Sequence, residues 1–185
     1  MATPSPLAGV LLLCVDMQPT FLKAIPDGSE VLKRCSFAVE VAKGLGMQIA
    51  FTEQMPRKLG GTATELLELA PKAYAHSKNT FSVFADDGIS DALRSLDVEH
   101  IILCGVETPI CIYQTAIGAL DANLQITVLT DAIGARRPAD SAICLGALAR
   151  SGVHLLPSET VFYSLLHDAN HPFFKAYTQL VKKYG

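Results

Sequence analysis

The chain has 185 residues, of which 50% are hydrophobic, 18% charged and 7% aromatic, enough for one domain with a rich core. Fifteen basic against eighteen acidic residues leave a net charge of -3 and a pI near 5.9. That balance argues against the basic face of a nucleic-acid binder and against a polybasic membrane anchor.

Residues 1–185 read as a single domain with no repeat, low-complexity stretch or linker. The mean hydropathy of +0.31 is spread along the chain, not gathered in a block of the roughly 20 apolar residues that a membrane span needs. Met1 to Leu13 lacks a basic n-region and makes a poor signal peptide. Five cysteines, Cys14, Cys35, Cys104, Cys111 and Cys144, are an odd number without paired spacing. They fit reduced thiols in a cytoplasmic protein, most of them acting as small core residues.

Four runs, Val10–Val15, Met47–Phe51, His100–Cys104 and Gln125–Leu129, are almost continuously apolar. That is the pattern of strands covered on both faces. Val153–Leu156 is a shorter fifth candidate. Helical spacing marks Ser29–Gly44, Asp87–Leu96, Pro109–Ala122 and Ala139–Ser151, then Glu159–Leu166 and Pro172–Lys183. Strand and helix alternate with connections long enough for crossovers, which predicts an α/β fold of three layers, α/β/α, around a mainly parallel sheet. The one long irregular stretch, Glu53–Ala85, holds a short helix at Thr64–Leu69, and a stretch of that length is usually functional.

In such folds ligands bind beyond the carboxyl ends of the strands. There the sequence supplies Asp16, Met17 and Gln18 after the first strand, and Thr52, Glu53 and Gln54 after the second. Gly105 to Thr108 follow the third, with Cys111 just beyond, and Thr130 and Asp131 follow the fourth. With Thr108 as N-cap and Pro109 in the first helical position, Cys111 falls in a first helical turn, where the helix dipole lowers a thiol pKa. Simple packing is the alternative for any cysteine in these surroundings. Asp16 could take a thiol proton and return it to a leaving amine, and Lys78 could hold the two charges together. A cap for Asp16 and a solvated surface charge for Lys78 remain open on spacing alone.

Val15-Asp16-Met17-Gln18 with Phe21, then Ser77-Lys78-Asn79-Thr80-Phe81-Ser82, then Gly105-Val106-Glu107-Thr108 with Cys111, then Thr130-Asp131-Ala132, together resemble the isochorismatase-like cysteine hydrolase superfamily. Thr52 to Pro56 with Leu59-Gly60, and His171 to Lys175, are similar to the branch of isochorismatase domain-containing proteins. The resemblance implies a catalytic triad of Asp16, Lys78 and Cys111, with Cys111 attacking a carbonyl to give a thioester. It implies a cis peptide from Val106 to Glu107 that aims the Glu107 amide, with that of Cys111, at a forming oxyanion. It also implies a substrate pocket that includes Gln18 and Phe21.

Two departures narrow the activity. Nicotinamidases of this family carry an Asp-x-His metal pair after the second strand, where this chain has Thr52-Glu53-Gln54, and its five histidines lack metal-ligand spacing. Isochorismatases proper lack the nucleophilic cysteine that is present here. The expectation is therefore a cofactor-free, metal-free hydrolase of a small amide or carbamoyl compound, assembled as a homo-oligomer. The Ala-rich helix Pro109–Ala122 and the aromatic C-terminal helix with Phe173, Phe174 and Tyr177 are candidate interfaces, although core packing explains both as well. A catalytically silent scaffold and a redox-responsive thiol are the competing readings. A dinucleotide or P-loop fold is disfavoured, because the chain lacks both glycine-rich phosphate motifs.

Overall fold

A computed structural model describes residues 7–185, so the reading of Met1 to Leu13 rests in part on residues outside it. β1 (Val10–Val15) is an unbroken apolar run and is buried along nearly its whole length. The chain leaves it through a short α1 (Pro19–Leu22), enters the long α2 (Gly28–Gly44) and returns as β2 (Gln48–Gln54). α3 (Pro56–Leu59) and α4 (Thr64–Leu69) lead to β3 (Tyr74–Lys78). A 3₁₀ turn at Val83–Ala85 and α5 (Asp87–Ser95) precede β4 (His100–Val106). A wide π-type turn over Thr108–Ile112 then opens α6 (Tyr113–Asp121). β5 (Gln125–Gly134), α7 (Pro138–Arg150), β6 (His154–Leu156), α8 (Ser158–Leu166) and α9 (Phe174–Tyr184) complete the described chain.

The six strands lie in the order β3-β2-β1-β4-β5-β6, and every neighbouring pair is parallel. The sheet is thus one strand larger than the sequence suggested. β3, with the sequence Tyr-Ala-His-Ser-Lys, has no apolar run because it forms an edge on which every residue but Lys78 is exposed or half-buried. β2, β4 and β5 run past Phe51, Cys104 and Leu129, their expected ends. Each extension begins with a polar residue or glycine, at Thr52, Gly105 and Thr130, and is held by backbone pairing, which hydropathy does not register.

Successive β1 residues alternate between two cores, as the period-two pleat requires. Leu12 and Cys14 face α2, α4, α8 and α9, while Leu11, Leu13 and Val15 face α5, α6 and α7. Tyr177 on α9 is fully buried and its ring lies 6.0 Å from that of Phe37. The C-terminal helix therefore places this aromatic residue in the core. On the other candidate surface, α6, Thr115, Ala116 and Ala119 are buried within the chain.

From β1 the chain winds outward to β3, then crosses back to β4 on the other side of β1. The order reverses between β1 and β4, and that is where an open α/β sheet forms its crevice. The two strands approach closely at their carboxyl ends. Gly105 pairs with Val15 and has φ of +115°, and a Cβ there would lie 2.1 Å from the Val15 carbonyl oxygen. Only glycine fits.

Candidate active site

Asp16 ends β1 in a left-handed conformation, with φ of +53°, which Asp tolerates better than bulkier residues. Its amide still donates to the Thr52 carbonyl at 3.0 Å, so the turn is pinned to β2. Its carboxylate is 1% exposed. One oxygen accepts the Thr52 hydroxyl at 2.7 Å, and the other accepts the Lys78 ammonium at 2.7 Å. Lys78 reaches this point from the end of β3, two strands away, with its side chain wholly buried. Its Nζ also donates to Gln54 Oε1 at 2.6 Å and to the Thr80 carbonyl at 3.2 Å, and it lies 3.6 Å from Cys111 Sγ. A buried ammonium is tolerated only with its donors engaged, and here each proton has a nearby acceptor.

Cys111 is held over this pair by the turn that follows β4. The amides of Ile110 and Ile112 both donate to the Glu107 carbonyl, at 3.1 Å each, so the turn is one residue wider than an α-helical one. The Val106–Glu107 peptide is cis. Thr108 does not cap the helix as expected. Its hydroxyl donates to the Gly134 carbonyl at 3.2 Å and ties the turn to β5.

The expected lowering of the thiol pKa is not what the surroundings produce. Burial pushes the Cys111 thiol up to about 12, the neighbouring Asp16 carboxylate adds to the rise, and Lys78 opposes it only in part. A free helix end facing water would have had the opposite effect. Here the wide turn presses the sulfur into the interior, next to a negative charge. At rest the residue is a thiol.

A cavity of about 290 Å³ opens above the sulfur. Asp16, Phe21, Val106, Glu107 and Cys111 line it, and Lys78 stands just behind Asp16. Gln18 does not reach it. It is fully buried, accepting the Gln54 amide at 2.7 Å and donating to the Gln54 and Gly60 carbonyls. Gln18 thus ties the segment after β1 to β2 and to the Gly60 loop. Gln54, Phe81 and Arg136 also line the cavity. Gln54 stood at a strand's carboxyl end in the sequence, a usable signal, whereas Arg136 carried none. It reaches the cavity only because β5 runs five residues beyond its expected end at Leu129.

Asp131, grouped with the other strand-end polar residues, lies elsewhere. It pairs with Arg34 at 2.6 Å and accepts the Ser158 amide at 2.7 Å and the Ser158 hydroxyl at 2.6 Å. Among the described residues, Cys14, Cys35 and Cys104 form the one set of potential metal ligands whose donor atoms converge, within 4.8 Å of one another. They sit in the core on the face of the sheet opposite Cys111. Cys35 already donates to the Ala132 carbonyl at 3.3 Å, so packing accounts for them. All five cysteines are free.

Residues 10–160 match the family model for the isochorismatase domain. The chain belongs to the isochorismatase family. Within that family it is 37% identical over 175 residues to isochorismatase domain-containing protein 2 of Xenopus laevis, an alignment covering 94% of this chain and 83% of the relative. Its structure is similar to that of the MAR1 ribonuclease of Caenorhabditis elegans, with a TM-score of 0.88, 27% identity, and coverage of 97% of this chain and 91% of the other. The YcaC gene product of Escherichia coli, an octameric hydrolase of unknown specificity, shares the fold. Its TM-score is 0.82, at 19% identity and with 96% and 94% of the two chains covered. In this isochorismatase-like hydrolase fold no helix among the described residues is long and apolar enough to cross a membrane.

Proposed function

We propose that the chain is a cysteine hydrolase that cleaves a small amide or carbamoyl C–N bond, with Asp16, Lys78 and Cys111 as its triad. The observation that carries this reading is the Lys78 ammonium, which contacts the Asp16 carboxylate at 2.7 Å and the Cys111 sulfur at 3.6 Å beneath one small cavity. The carboxylate and the ammonium need each other there, since either alone would be a costly buried charge.

The high thiol pKa gives the first step its form. As Cys111 Sγ attacks the substrate carbonyl carbon, its proton passes to Asp16, so free thiolate need not accumulate. The carbonyl oxygen takes up the electron pair, and the amides of Glu107 and Cys111 are the assigned donors to that oxyanion. When the tetrahedral intermediate collapses, Asp16 returns the proton to the leaving nitrogen, the C–N bond breaks and a Cys111 thioester remains. Water then enters, gives a proton to Asp16 and adds to the thioester carbon. Collapse releases the carboxylic acid, and the sulfur recovers its proton. Lys78 stays charged throughout, balancing whichever of Asp16 and Cys111 is negative.

Phe21 supplies an apolar wall to this pocket. A phosphodiester reading, prompted by the name of the Caenorhabditis elegans neighbour, draws no support from a net charge of -3 or from a cavity of about 290 Å³. We further read the protein as a cytoplasmic homo-oligomer. The octameric YcaC neighbour and an Ile143 side chain that is 72% exposed on α7 support the assembly.

The test is to turn over a panel of small amides, quench in acid and map adducts by peptide mass spectrometry. Acyl mass is expected on the Cys111 peptide of the wild type and nowhere in Cys111→Ala. Undiminished turnover by Cys111→Ala would reject the covalent mechanism, and a panel with neither turnover nor adduct would favour the scaffold.

A further inference from the structure

Which charge the cavity accepts follows from accounting for its polar groups. Asp16 is spent on Thr52 and Lys78. The Lys78 ammonium has Asp16, Gln54 and the Thr80 carbonyl as oxygen acceptors. Gln54 gives its side-chain oxygen to Lys78 and its amide to the Asn79 carbonyl. Glu107, with its side chain 9% exposed, is paired through Oε1 with Arg136 Nε.

Arg136 differs from all of these. Only its Nε is engaged, its side chain is 58% exposed, and neither Nη group has a partner among the described residues. A guanidinium carries five N–H donors in a fixed fork. Four of them are therefore unspent at the edge of a cavity whose remaining walls include Phe21, Ala24, Val106, Phe81 and Ile110. The neighbouring Arg137 is no substitute, since it pairs with Asp140 at 3.0 Å and does not line the cavity.

We propose that Arg136 makes this a site for small amides whose far end is a carboxylate, joined to the reacting group by a short hydrocarbon spacer. The amide end rests on the hydrolase reading above; the carboxylate end does not. Two Nη groups present parallel N–H bonds that suit a carboxylate's two oxygens. Glu107 occupies the Nε edge of this guanidinium, which itself lines the cavity. The apolar walls fit a spacer and offer no donors of their own. The volume stands near the lower limit of about 300–1,000 Å³ usual for small-molecule sites, which restricts that spacer to a few carbons. Glu107 opposes an incoming anion, so the preference expected is about tenfold, less than an isolated charge-assisted pair would give.

Binding is measured by calorimetry on Cys111→Ala protein, which separates recognition from turnover. Three probes of matched size are succinamate, succinamide and β-alaninamide, respectively anionic, neutral and cationic at pH 7.5. Succinamate is expected to bind about tenfold tighter than either of the others. Adding Arg136→Gln should bring all three within about threefold, while adding Arg137→Gln should leave the preference in place. The proposal is overturned by equal affinities, by tighter binding of β-alaninamide, by a preference that survives Arg136→Gln, or by no binding of any probe. If succinamate is preferred yet the wild type forms no thioester, the hydrolase reading fails and the carboxylate site stands. If neutral amides are hydrolysed without any preference, the reverse holds.

Discussion

Two ion pairs hold this fold together from within. Asp16 and Lys78 meet at 2.7 Å, Arg34 and Asp131 at 2.6 Å. Arg34, on α2, spends its donors inside the protein: Nε and Nη2 on Asp131, Nη2 also on the Ser158 hydroxyl, and Nη1 on the Tyr184 carbonyl. Its guanidinium also lies 4.6 Å from the Phe37 ring centroid. Four of its five N–H donors are thus engaged within the protein. Lys78 instead brings a compact point charge within 3.6 Å of a sulfur that faces a cavity. The rigid fork suits a joint between α2, β5, α8 and α9. The ammonium, whose three protons can turn among several acceptors, suits a place where negative charge moves from one atom to another. Distance does not distinguish a structural pair from a reactive one. What lies beside each cation does: protein acceptors and the Phe37 ring around Arg34, a thiol at a cavity beside Lys78.

The largest effect that would break this contrast is at Asp16. Asp16→Asn keeps the shape but cannot carry a proton, so amide turnover should fall by about 10³-fold or more. Removing the carboxylate also removes one cause of the raised Cys111 pKa and leaves Lys78 beside the thiol. Iodoacetamide labelling of Cys111 at pH 8 should therefore accelerate, by about tenfold for each unit that the pKa falls. Slower turnover with faster labelling is the signature. Slowing of both would mean that Asp16 only shapes the site.

Arg34→Met should act on stability instead. It leaves the Asp131 carboxylate, 30% exposed, without its cation, at a cost of about 2–4 kcal/mol, while the activity of the folded fraction stays within about twofold. Burial by itself would raise the Asp131 pKa, but bonds from the Ser158 hydroxyl and amide and from Arg34 outweigh it and hold the carboxyl below its usual range. A carboxyl depressed in the folded state contributes stability above its unfolded value of about 3.9 and loses it as pH falls through the folded value. The difference in melting temperature between wild type and Arg34→Met should thus be widest near pH 7 and shrink below about pH 4. A difference independent of pH would mean that lost packing against Phe37, not charge, sets the cost.

Ser158→Ala is the smallest change, removing one hydroxyl from the same network for about 1 kcal/mol. Its effect on urea unfolding should add to that of Arg34→Met by less than the sum of the two, because both act on the same Asp131 oxygen.

The central apolar runs, the helical periods and the stops at glycine placed β1 and α2 almost to the residue, because hydrocarbon burial is written in local composition. The same signal missed β3, an edge strand, and cut β2, β4 and β5 short, because backbone pairing of polar residues leaves no hydropathic trace. Asp16 is legible as a chemistry-bearing type at a strand end and Cys111 in a helical turn just beyond one, Lys78 falls in a stretch without a strand signal, and a resemblance spread along the chain groups the three. Gln54 also ends a strand, and Gln18, which the resemblance places in the pocket, braces it from outside.

Three matters waited for the tertiary structure. One was the sign of the Cys111 pKa shift, since a helix start predicts a fall, and only packing shows burial and Asp16 reversing it. Another was the pairing of Asp131 with Arg34, 97 residues away in the chain. The last was Arg136, whose Nη donors stand without a partner among the described residues at the edge of the cavity. Sequence determines which groups can burn their hydrogen-bonding capacity locally. The distribution of burial and charge among distant residues belongs to the folded molecule, because electrostatic energies depend on separations that only the fold sets.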